Sequence, residues 1–284
     1  MTRAAPRAHV WLASYPKSGN TWMRIALAAL RSGEASFDLA RMTNNVGVFL
    51  AMRHRFDMAL DIDSSDLSVA EADLLRPKIY DLIDMQGRDT TIWKIHDCWS
   101  RTSDGDALFP AEITAASLYL VRDPRDVAAS FAHHFEMDVD RAIAVMADPD
   151  YRVAAKTDSA HFHLPQHYSS WSNHVLSWLD ASGHAPLVLR YEDMVADFAS
   201  ALKRVSTALG WASSDSAVAA AVAATRFDRL RAEESAGNFP ESLHGDRPFF
   251  RRGVAGGWRD TLTPAQAAQI ERDHGEVMAR LGYL

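Results

Sequence analysis

The sequence predicts an α/β fold in which a central parallel sheet is flanked by helices. Short apolar segments of strand length alternate along the chain with longer segments that carry helix caps and helix stop signals. This alternation is typical of a parallel sheet with helices on both faces. The chain has 284 residues, and no linker or low-complexity tract divides it. We therefore expect one domain that spans residues 1–284.

Four short apolar runs predict the strands. Each run is rich in aliphatic and aromatic residues and is followed by polar or turn-forming residues. The third run is the most apolar, whereas the second contains Lys94, which is unusual in a buried strand. In chain order, the predicted strands are 9–14, 91–95, 115–121 and 186–191.

Caps and stop signals predict the helices. Ser68 and Glu71 form a capping-box pattern, and Thr263 and Gln266 repeat it with Pro264 at the first helical position. Glycines that follow several of the segments mark helix ends. In chain order, the predicted helices are 20–31, 69–87, 124–135, 165–181, 194–209, 217–224 and 264–281.

The composition excludes several classes of protein. The 30 basic and 37 acidic residues give a net charge of −7, which disfavours sequence-independent binding to nucleic acid. The single cysteine, Cys98, excludes an internal disulfide and a cysteine-rich zinc site, and it favours a reducing compartment. The apolar run 8–13 is too short for a signal peptide, and no run approaches the roughly 18 residues that span a membrane. We expect a cytoplasmic protein with no nucleic-acid or membrane partner.

The segment between the first strand and the first helix predicts a phosphate site. Free backbone N–H groups and the helix dipole attract an anion there. Lys17 adds a positive charge, and Ser18 and Thr21 add hydroxyl donors. Gly19 lets the backbone approach the anion closely. The pattern differs from a Walker A loop because Lys17 precedes the glycine, and the alternative is a plain turn with a surface lysine.

A second candidate phosphate contact follows the third strand. Arg122 lies at the carboxyl end of that strand, where ligands bind in open α/β sheets. Ser130 follows two helical turns later, so its hydroxyl and the guanidinium can both reach one phosphate. The alternative is a surface network of arginines and aspartates.

The motif from Tyr15 to Trp22, Tyr-Pro-Lys-Ser-Gly-Asn-Thr-Trp, resembles the signature of the cytosolic-type sulfotransferases, which bind 3′-phosphoadenosine 5′-phosphosulfate (PAPS). The resemblance implies a P-loop-NTPase-like sulfotransferase fold and PAPS as the donor substrate, with no metal. The family's usual threonine is Asn20 here, which keeps a polar side chain. Further motifs of the family follow in the same order as far as Trp258.

The resemblance implies three groups of donor contacts. The loop after the first strand holds the 5′-phosphosulfate, two arginine-containing motifs hold the 3′-phosphate, and three later residues lie by the adenine. The loop contributes Lys17, Ser18, Gly19, Asn20 and Thr21, and its Trp22 stacks near the adenine. The 3′-phosphate motifs contribute Arg122, Ser130, Arg251, Arg252 and Gly253, and the later adenine contacts are Tyr191, Thr225 and Phe227.

A Lys-Ile-His sequence at the end of the second strand resembles the family's Lys-Thr-His. It implies that His96 is the general base and that Lys94 assists the sulfuryl transfer. Lys17 is placed to stabilise charge that develops on the departing phosphate. With these roles, the implied catalytic group is His96, Lys17, Lys94 and Ser130. The family's next two residues, Leu-Pro, are replaced here by Asp97 and a cysteine. The identity of the acceptor therefore stays open, and Asp97 could contact or orient it.

The resemblance implies transfer of a sulfuryl group from PAPS to a small-molecule acceptor, which is predicted only as a molecule with a hydroxyl group or an amine. In this family the acceptor pocket is built from variable loops, which correspond here to 43–55, 99–112, 138–163 and 233–250. Two sets of residues could either line the acceptor pocket or have no contact with the acceptor. The first set, Phe49, Met52, Phe56 and Met58, could instead lie in the core, and the second, His133, His134 and Phe135, could instead face solvent. The family's dimer segment is degraded at 259–264, so that type of dimer is not predicted and the oligomeric state stays open.

Two other functions share part of this pattern. A P-loop kinase that uses ATP and Mg²⁺ needs a lysine after the glycine and a metal-binding carboxylate, and neither is evident. A non-catalytic nucleotide-binding protein needs no base, and Lys17, Lys94 and His96 argue against it. The histidines at 161, 163 and 167 form a partial metal pattern that solvated or core positions explain better.

Overall fold

Five parallel strands form the central sheet, four of which the sequence predicts. The computed structural model describes residues 8–32, 46–49, 51–80, 82, 90–155, 162–242 and 247–284. Its strands are β1 Ala8–Ser14, β2 Val48–Phe49, β3 Thr90–Ile95, β4 Thr114–Val121, β5 Arg152–Val153, β6 Gln166–His167 and β7 Leu187–Arg190. The sheet order is β2-β3-β1-β4-β7, and every neighbouring pair in it is parallel. The four predicted strands are confirmed to within one residue at each end.

Three short strands were not predicted. The edge strand β2 pairs with β3 through two residues only, and β5 and β6 form a separate antiparallel pair of the same length. A period of two residues cannot be detected in a segment that is itself two residues long. Such strands exist because of tertiary pairing rather than because of local sequence.

The helices of the described residues lie between and after the strands. They are α1 Asn20–Ser32, α2 Arg53–Leu60, α3 Val69–Leu75, α4 Pro124–Phe135, α5 Val139–Ala147, α6 Trp171–Leu176, α7 Tyr191–Ala196, α8 Phe198–Ala208, α9 Asp215–Ala224, α10 Phe227–Ser235 and α11 Pro264–Arg280. The predicted bounds of α4 are confirmed at both ends, and both predicted capping boxes are formed. None of these helices is long and apolar enough to cross a membrane.

Three predicted helices are wrong in extent. The helix predicted over 69–87 ends at Leu75 and passes into a 3₁₀ turn, because Pro77 lacks an N–H group; residues 83–89 lie outside the described part. The helix predicted from residue 165 begins at Trp171, since the preceding residues form β6. The helix predicted over 194–209 is interrupted at Asp197, whose carboxylate accepts a hydrogen bond from the Ser200 N–H and caps α8.

Helices cover both faces of the sheet, as predicted. In β1, Val10 and Leu12 pack into one hydrophobic cluster, and Trp11 and Ala13 pack into another. The first cluster contains residues of α1, α8 and α9, and the second contains residues of α4, α5, α6 and α11. This alternation follows from the strand period of two, which sends successive side chains to opposite faces.

The sheet sets the position of the functional residues. Because the strands are parallel, β1, β3, β4 and β7 all end at the same edge. The residues that follow these ends are the loop that begins at Tyr15, and then His96, Arg122 and Tyr191. In open parallel sheets this edge is where ligands bind.

Candidate active site

One cavity of about 590 Å³ opens at the carboxyl edge of the sheet. Its volume lies in the range of small-molecule and cofactor sites. The predicted site residues that line it are Lys17, Gly19, Asn20, Thr21, Trp22, Lys94, His96, Arg122, Ser130, Tyr191, Thr225, Phe227, Arg251, Arg252 and Gly253. Ser18 is the exception, because it is buried below the cavity and its Oγ has no hydrogen-bond partner in the described structure.

The loop between β1 and α1 has the backbone shape of an anion cradle. Lys17 and Gly19 have positive φ angles of 71° and 98°. A Cβ on Gly19 would lie 2.9 Å from Cδ2 of Tyr191, so glycine is required there for space as well as for φ. Left-handed residues between right-handed ones turn successive N–H groups to one side, and α1 adds its free N-terminal N–H groups.

Asn20 fixes this loop to the end of β1. Its side-chain NH₂ donates to the carbonyl oxygen of Leu12 at 3.0 Å and lies 3.2 Å from the Ser14 Oγ. Both partners belong to the strand, so the first residue of α1 is tied to the sheet. The Asn20 side chain therefore supports the loop by holding it to the strand.

Two lysines bring positive charge to the cavity. The Nζ of Lys17 lies 4.2 Å from the ring centroid of Phe249, and the Nζ of Lys94 lies 4.6 Å from that of Phe49. Burial, reinforced by Lys94 and Arg122, lowers the pKa of Lys17 to about 7. Burial also lowers the pKa of Lys94 to about 8. An anion bound beside these buried amines would stabilise their charged forms, so the cavity is suited to an anionic ligand.

His96 carries a free basic nitrogen in this cavity. Its Nδ1 lies 2.9 Å from the carbonyl oxygen of Ser14, and because a carbonyl only accepts, Nδ1 carries the proton. Within the described residues Nε2 has no partner. Burial, with a smaller effect of Lys94, holds the pKa of His96 well below its usual range. The imidazole is therefore neutral at neutral pH and can accept a proton at Nε2.

Two residues that the sequence did not reveal hold the backbone of His96. The carbonyl oxygen of His96 accepts a hydrogen bond from Nε2 of His174 at 3.2 Å. The other ring nitrogen of His174 accepts from the Tyr119 hydroxyl at 2.7 Å. The chain positions its candidate base through two buried groups that lie far away in sequence.

The predicted 3′-phosphate contacts meet on the other side of the loop. Arg122 donates to the carbonyl oxygens of Lys17 at 3.3 Å and Val254 at 3.0 Å, and its guanidinium lies 4.2 Å from the ring centroid of Tyr191. Asp126 on α4 accepts from the N–H groups of Gly256 and Trp258 at 2.7 Å each. The segment after residue 250 is thus tied to α4.

The predicted adenine contacts form the neighbouring wall. Trp22 stacks on Phe198 with ring centroids 4.1 Å apart. Gly253 has a φ of 65°, and a Cβ there would lie 2.3 Å from Cδ2 of Phe227. Phe227 and Gly253 therefore pack directly against each other, and no other residue fits at position 253 without moving the aromatic ring.

The residues proposed for an acceptor wall lie partly at the cavity, partly in the core and partly at the surface. Phe49 and Met52 line the cavity, whereas Phe56 is buried in the core and Met58 is 80% exposed. The two histidines of α4 also divide. His134 lines the cavity with Nδ1 3.4 Å from the Nζ of Lys17, and His133 instead contacts the carbonyl oxygen of Pro248 at 3.1 Å.

The suggestion that Asp97 orients the acceptor is wrong. Asp97 is 2% exposed and does not line the cavity. Its two carboxylate oxygens accept from Arg76 at 2.9 and 2.7 Å, and one of them also accepts from the His167 N–H. The side chain is turned into the protein because the buried guanidinium of Arg76 needs a counter-charge.

Several cavity residues carried no signal in the sequence. Tyr168 has its ring centroid 6.3 Å from that of His96, and Arg24, Gln166 and Glu241 also line the cavity. Phe135, which the sequence left open between the acceptor pocket and solvent, lines the cavity too. No group of three or more His, Cys, Asp or Glu residues in the described ranges is placed to hold a metal ion. The residue at position 161, part of the histidine pattern, lies outside those ranges.

Known proteins resemble the chain in sequence and in fold. A family model of the sulfotransferase domain matches residues 108–282, which is more than half of the chain. Sulfotransferase 1A1 of dog (Canis lupus familiaris) is 28% identical over 171 residues, which cover 58% of this chain and 55% of that protein. Human (Homo sapiens) sulfotransferase 2B1 is 27% identical over 169 residues, which cover 58% and 44%. The chain belongs to the sulfotransferase domain family.

The match to these curated relatives spans about half of their length. Solved structures show the same fold over nearly the whole chain. Mouse sulfotransferase SULT7A1 complexed with PAP matches 97% of this chain and 86% of its own, with a TM-score of 0.59 and 20% identity. Retinol dehydratase in complex with androsterone and inactive cofactor PAP matches 96% and 81%, with a TM-score of 0.63 and 16% identity.

Proposed function

We propose that this chain transfers a sulfuryl group from PAPS to a hydroxyl group, or to an amine, of a small-molecule acceptor. The observation that carries this proposal is the combination found in one cavity. A phosphate cradle and two buried lysines of lowered pKa line the same cavity as a neutral, buried imidazole whose Nε2 is free. A phosphate site alone would serve a binding protein, whereas a base beside it serves a transfer reaction.

The donor would lie along the edge of the sheet. The loop after β1 would hold the phosphosulfate through backbone N–H groups and Thr21. Arg122, Ser130 and Arg251 would hold the 3′-phosphate, and Trp22 and Phe227 would contact the adenine. The PAP named with mouse SULT7A1 and retinol dehydratase supports this assignment, since PAP is the desulfonated form of the same nucleotide.

The transfer itself needs alignment, charge stabilisation and removal of one proton. A bond forms between the acceptor oxygen and sulfur while the bond from sulfur to the bridging oxygen breaks. Nε2 of His96 takes the acceptor proton. Lys17 stabilises the charge on the departing phosphate oxygen, and Lys94 faces the sulfuryl group. The acceptor would bind against Phe49 and Tyr168, whose ring centroids each lie 6.3 Å from that of His96.

The setting of the protein is part of the same proposal. The described part of the chain has no helix suited to cross a membrane, and its one cysteine, Cys98, is buried and free. We place the enzyme in the cytoplasm, as one domain over residues 1–284. The aromatic wall suits small apolar acceptors, and the androsterone and retinol named with retinol dehydratase are of that kind.

A comparison of the wild type with His96→Ala tests the reaction. The wild type is incubated with PAPS and a mixture of phenols and alcohols, and both PAP and sulfated product are measured. We expect equal amounts of the two products, and a loss of at least about 100-fold in His96→Ala. PAP binding should stay within about twofold, since His96 contacts the acceptor rather than the nucleotide. Activity of the variant close to that of the wild type would contradict His96 as the base.

A further inference from the structure

Arg24 is a buried charge that the proposed reaction does not use. It lies one turn after Thr21 on α1, and its side chain is only 2% exposed. Gly47 makes room for it, because a Cβ at that position would lie 2.2 Å from the Arg24 Nε. Gly47 also has a φ of 76°, which glycine adopts without strain. The chain therefore holds a permanent guanidinium against the wall of the cavity.

The carboxylate of Glu241 is the counter-ion of this guanidinium. Glu241 lies in the segment that follows α10 and also lines the cavity. One of its oxygens lies 2.7 Å from Nη1 of Arg24, and the other lies 3.7 Å from Nζ of Lys94 and 3.4 Å from Oγ1 of Thr21. Three donors from α1 and β3 thus converge on one carboxylate.

We propose that Thr21, Arg24 and Lys94 form the subsite for the sulfuryl group of the donor, and that Glu241 occupies this subsite until the donor displaces it. The inference rests on the proposed function, because it needs PAPS as the donor. Thr21 belongs to the phosphate cradle, and Lys94 is two residues before the candidate base. The convergence point is thus in contact with a residue of the phosphate cradle and with a lysine of the strand that leads to the candidate base, and we place the transferred group there.

Charge balance supports the exchange. The Glu241 carboxylate and the terminal sulfuryl group each carry one negative charge, so replacing one with the other leaves the buried cations compensated. Burial would raise the pKa of Glu241, but Lys94 and Arg24 lower it to about 2, so the carboxylate is ionised at neutral pH. A guanidinium also offers paired donors, which suit the oxygens of a sulfuryl group as well as those of a carboxylate.

The affinity of PAPS relative to PAP tests the proposal, since only PAPS has the sulfuryl group. Calorimetry in the absence of acceptor measures the affinities of PAPS and PAP for the wild type and for Glu241→Gln. The variant removes a like charge from the subsite, so we expect PAPS to bind at least about tenfold more tightly. PAP should change by no more than about twofold. Glu233→Gln is the matched control, because Glu233 lies in the same region outside the cavity and contacts Asn238.

A second variant isolates the guanidinium. We compare the double variant Arg24→Met, Glu241→Gln with the single variant Glu241→Gln. The competing carboxylate is absent from both variants, and in the double variant both members of the buried charge pair are removed. We expect PAPS to bind about tenfold more weakly than to Glu241→Gln, with PAP little changed. If Glu241→Gln does not fold, Glu241→Asp retracts the carboxylate by one methylene and should shift PAPS in the same direction by a smaller factor.

The outcomes separate this inference from the proposed function. Equal effects on PAPS and PAP, or no effect on either, would overturn the subsite assignment while leaving the nucleotide site intact. The wild type could also bind PAP while Glu241→Gln loses turnover and keeps its PAPS affinity. That result would make Glu241 a fixed positioning residue, and it would overturn the proposal that the donor displaces it. Failure of the wild type to bind PAP at all would overturn the proposed function instead.

Discussion

Binding of a phosphorylated nucleotide should return a proton to Lys17. Burial and the neighbouring charges of Lys94 and Arg122 lower the pKa of Lys17 to about 7. At pH 8 about nine tenths of this side chain is therefore neutral. Phosphate oxygens beside the amine favour its charged form and raise the pKa again. Each PAP bound at pH 8 should take up about one proton from the buffer, and Lys94, with a pKa of about 8, can add at most about half a proton more.

Calorimetry in two buffers of different ionisation enthalpy measures this uptake. At pH 8 the phosphates of PAP are already ionised, so the protons come to the protein and not to the ligand. At pH 6 Lys17 is already charged, and its uptake should disappear. Lys17→Arg is the matched control, because a guanidinium keeps its charge at every pH used. When PAP binds, Lys17→Arg should take up about one proton less than the wild type does. Equal proton uptake by the two proteins would refute the reasoning.

Two further substitutions test the geometry of the site and its surroundings. Gly253→Ala should weaken PAP binding about tenfold, because the added Cβ falls 2.3 Å from the ring of Phe227. Gly210→Ala has nearly the same φ but open space around it, so equal losses of PAP affinity in both would count against the contact. Asp97→Asn should lower the unfolding free energy by about 3 kcal/mol, since it breaks the buried pair with Arg76, and chemical denaturation measures the change. Turnover per folded molecule should stay the same, and a selective loss of turnover would restore a role for Asp97 at the acceptor.

Local signals explain what the sequence predicted well. The start of α4 follows from a cap at Asp123 and a proline at the first helical position, both of which act within one turn. The loop after β1 was recognisable because its functional groups lie within eight consecutive residues. Where the determinant of structure is local, the pattern is sufficient.

Interactions between distant residues explain what the sequence did not show. The partner of Asp97 is Arg76, 21 positions away, and no spacing rule connects the two. The contact between Arg24 and Glu241 joins residues 217 positions apart. His174, which supports the carbonyl of His96, is 78 positions from it. Each of these pairs exists because the fold buries two polar groups together, so the pairing follows from packing and could not be predicted from pattern.

We propose that the cavity binds adenosine 3′,5′-bisphosphate and its sulfated form. Calorimetric titration with PAP, beside a parallel titration with ATP and Mg²⁺, tests it most directly. We predict tight binding of PAP and much weaker binding of ATP, because in the proposed site Arg122 and Arg251 would hold a 3′-phosphate, which ATP lacks. Preference for ATP, or no binding of PAP, would contradict the account and make the Lys17 loop a phosphate site of another kind.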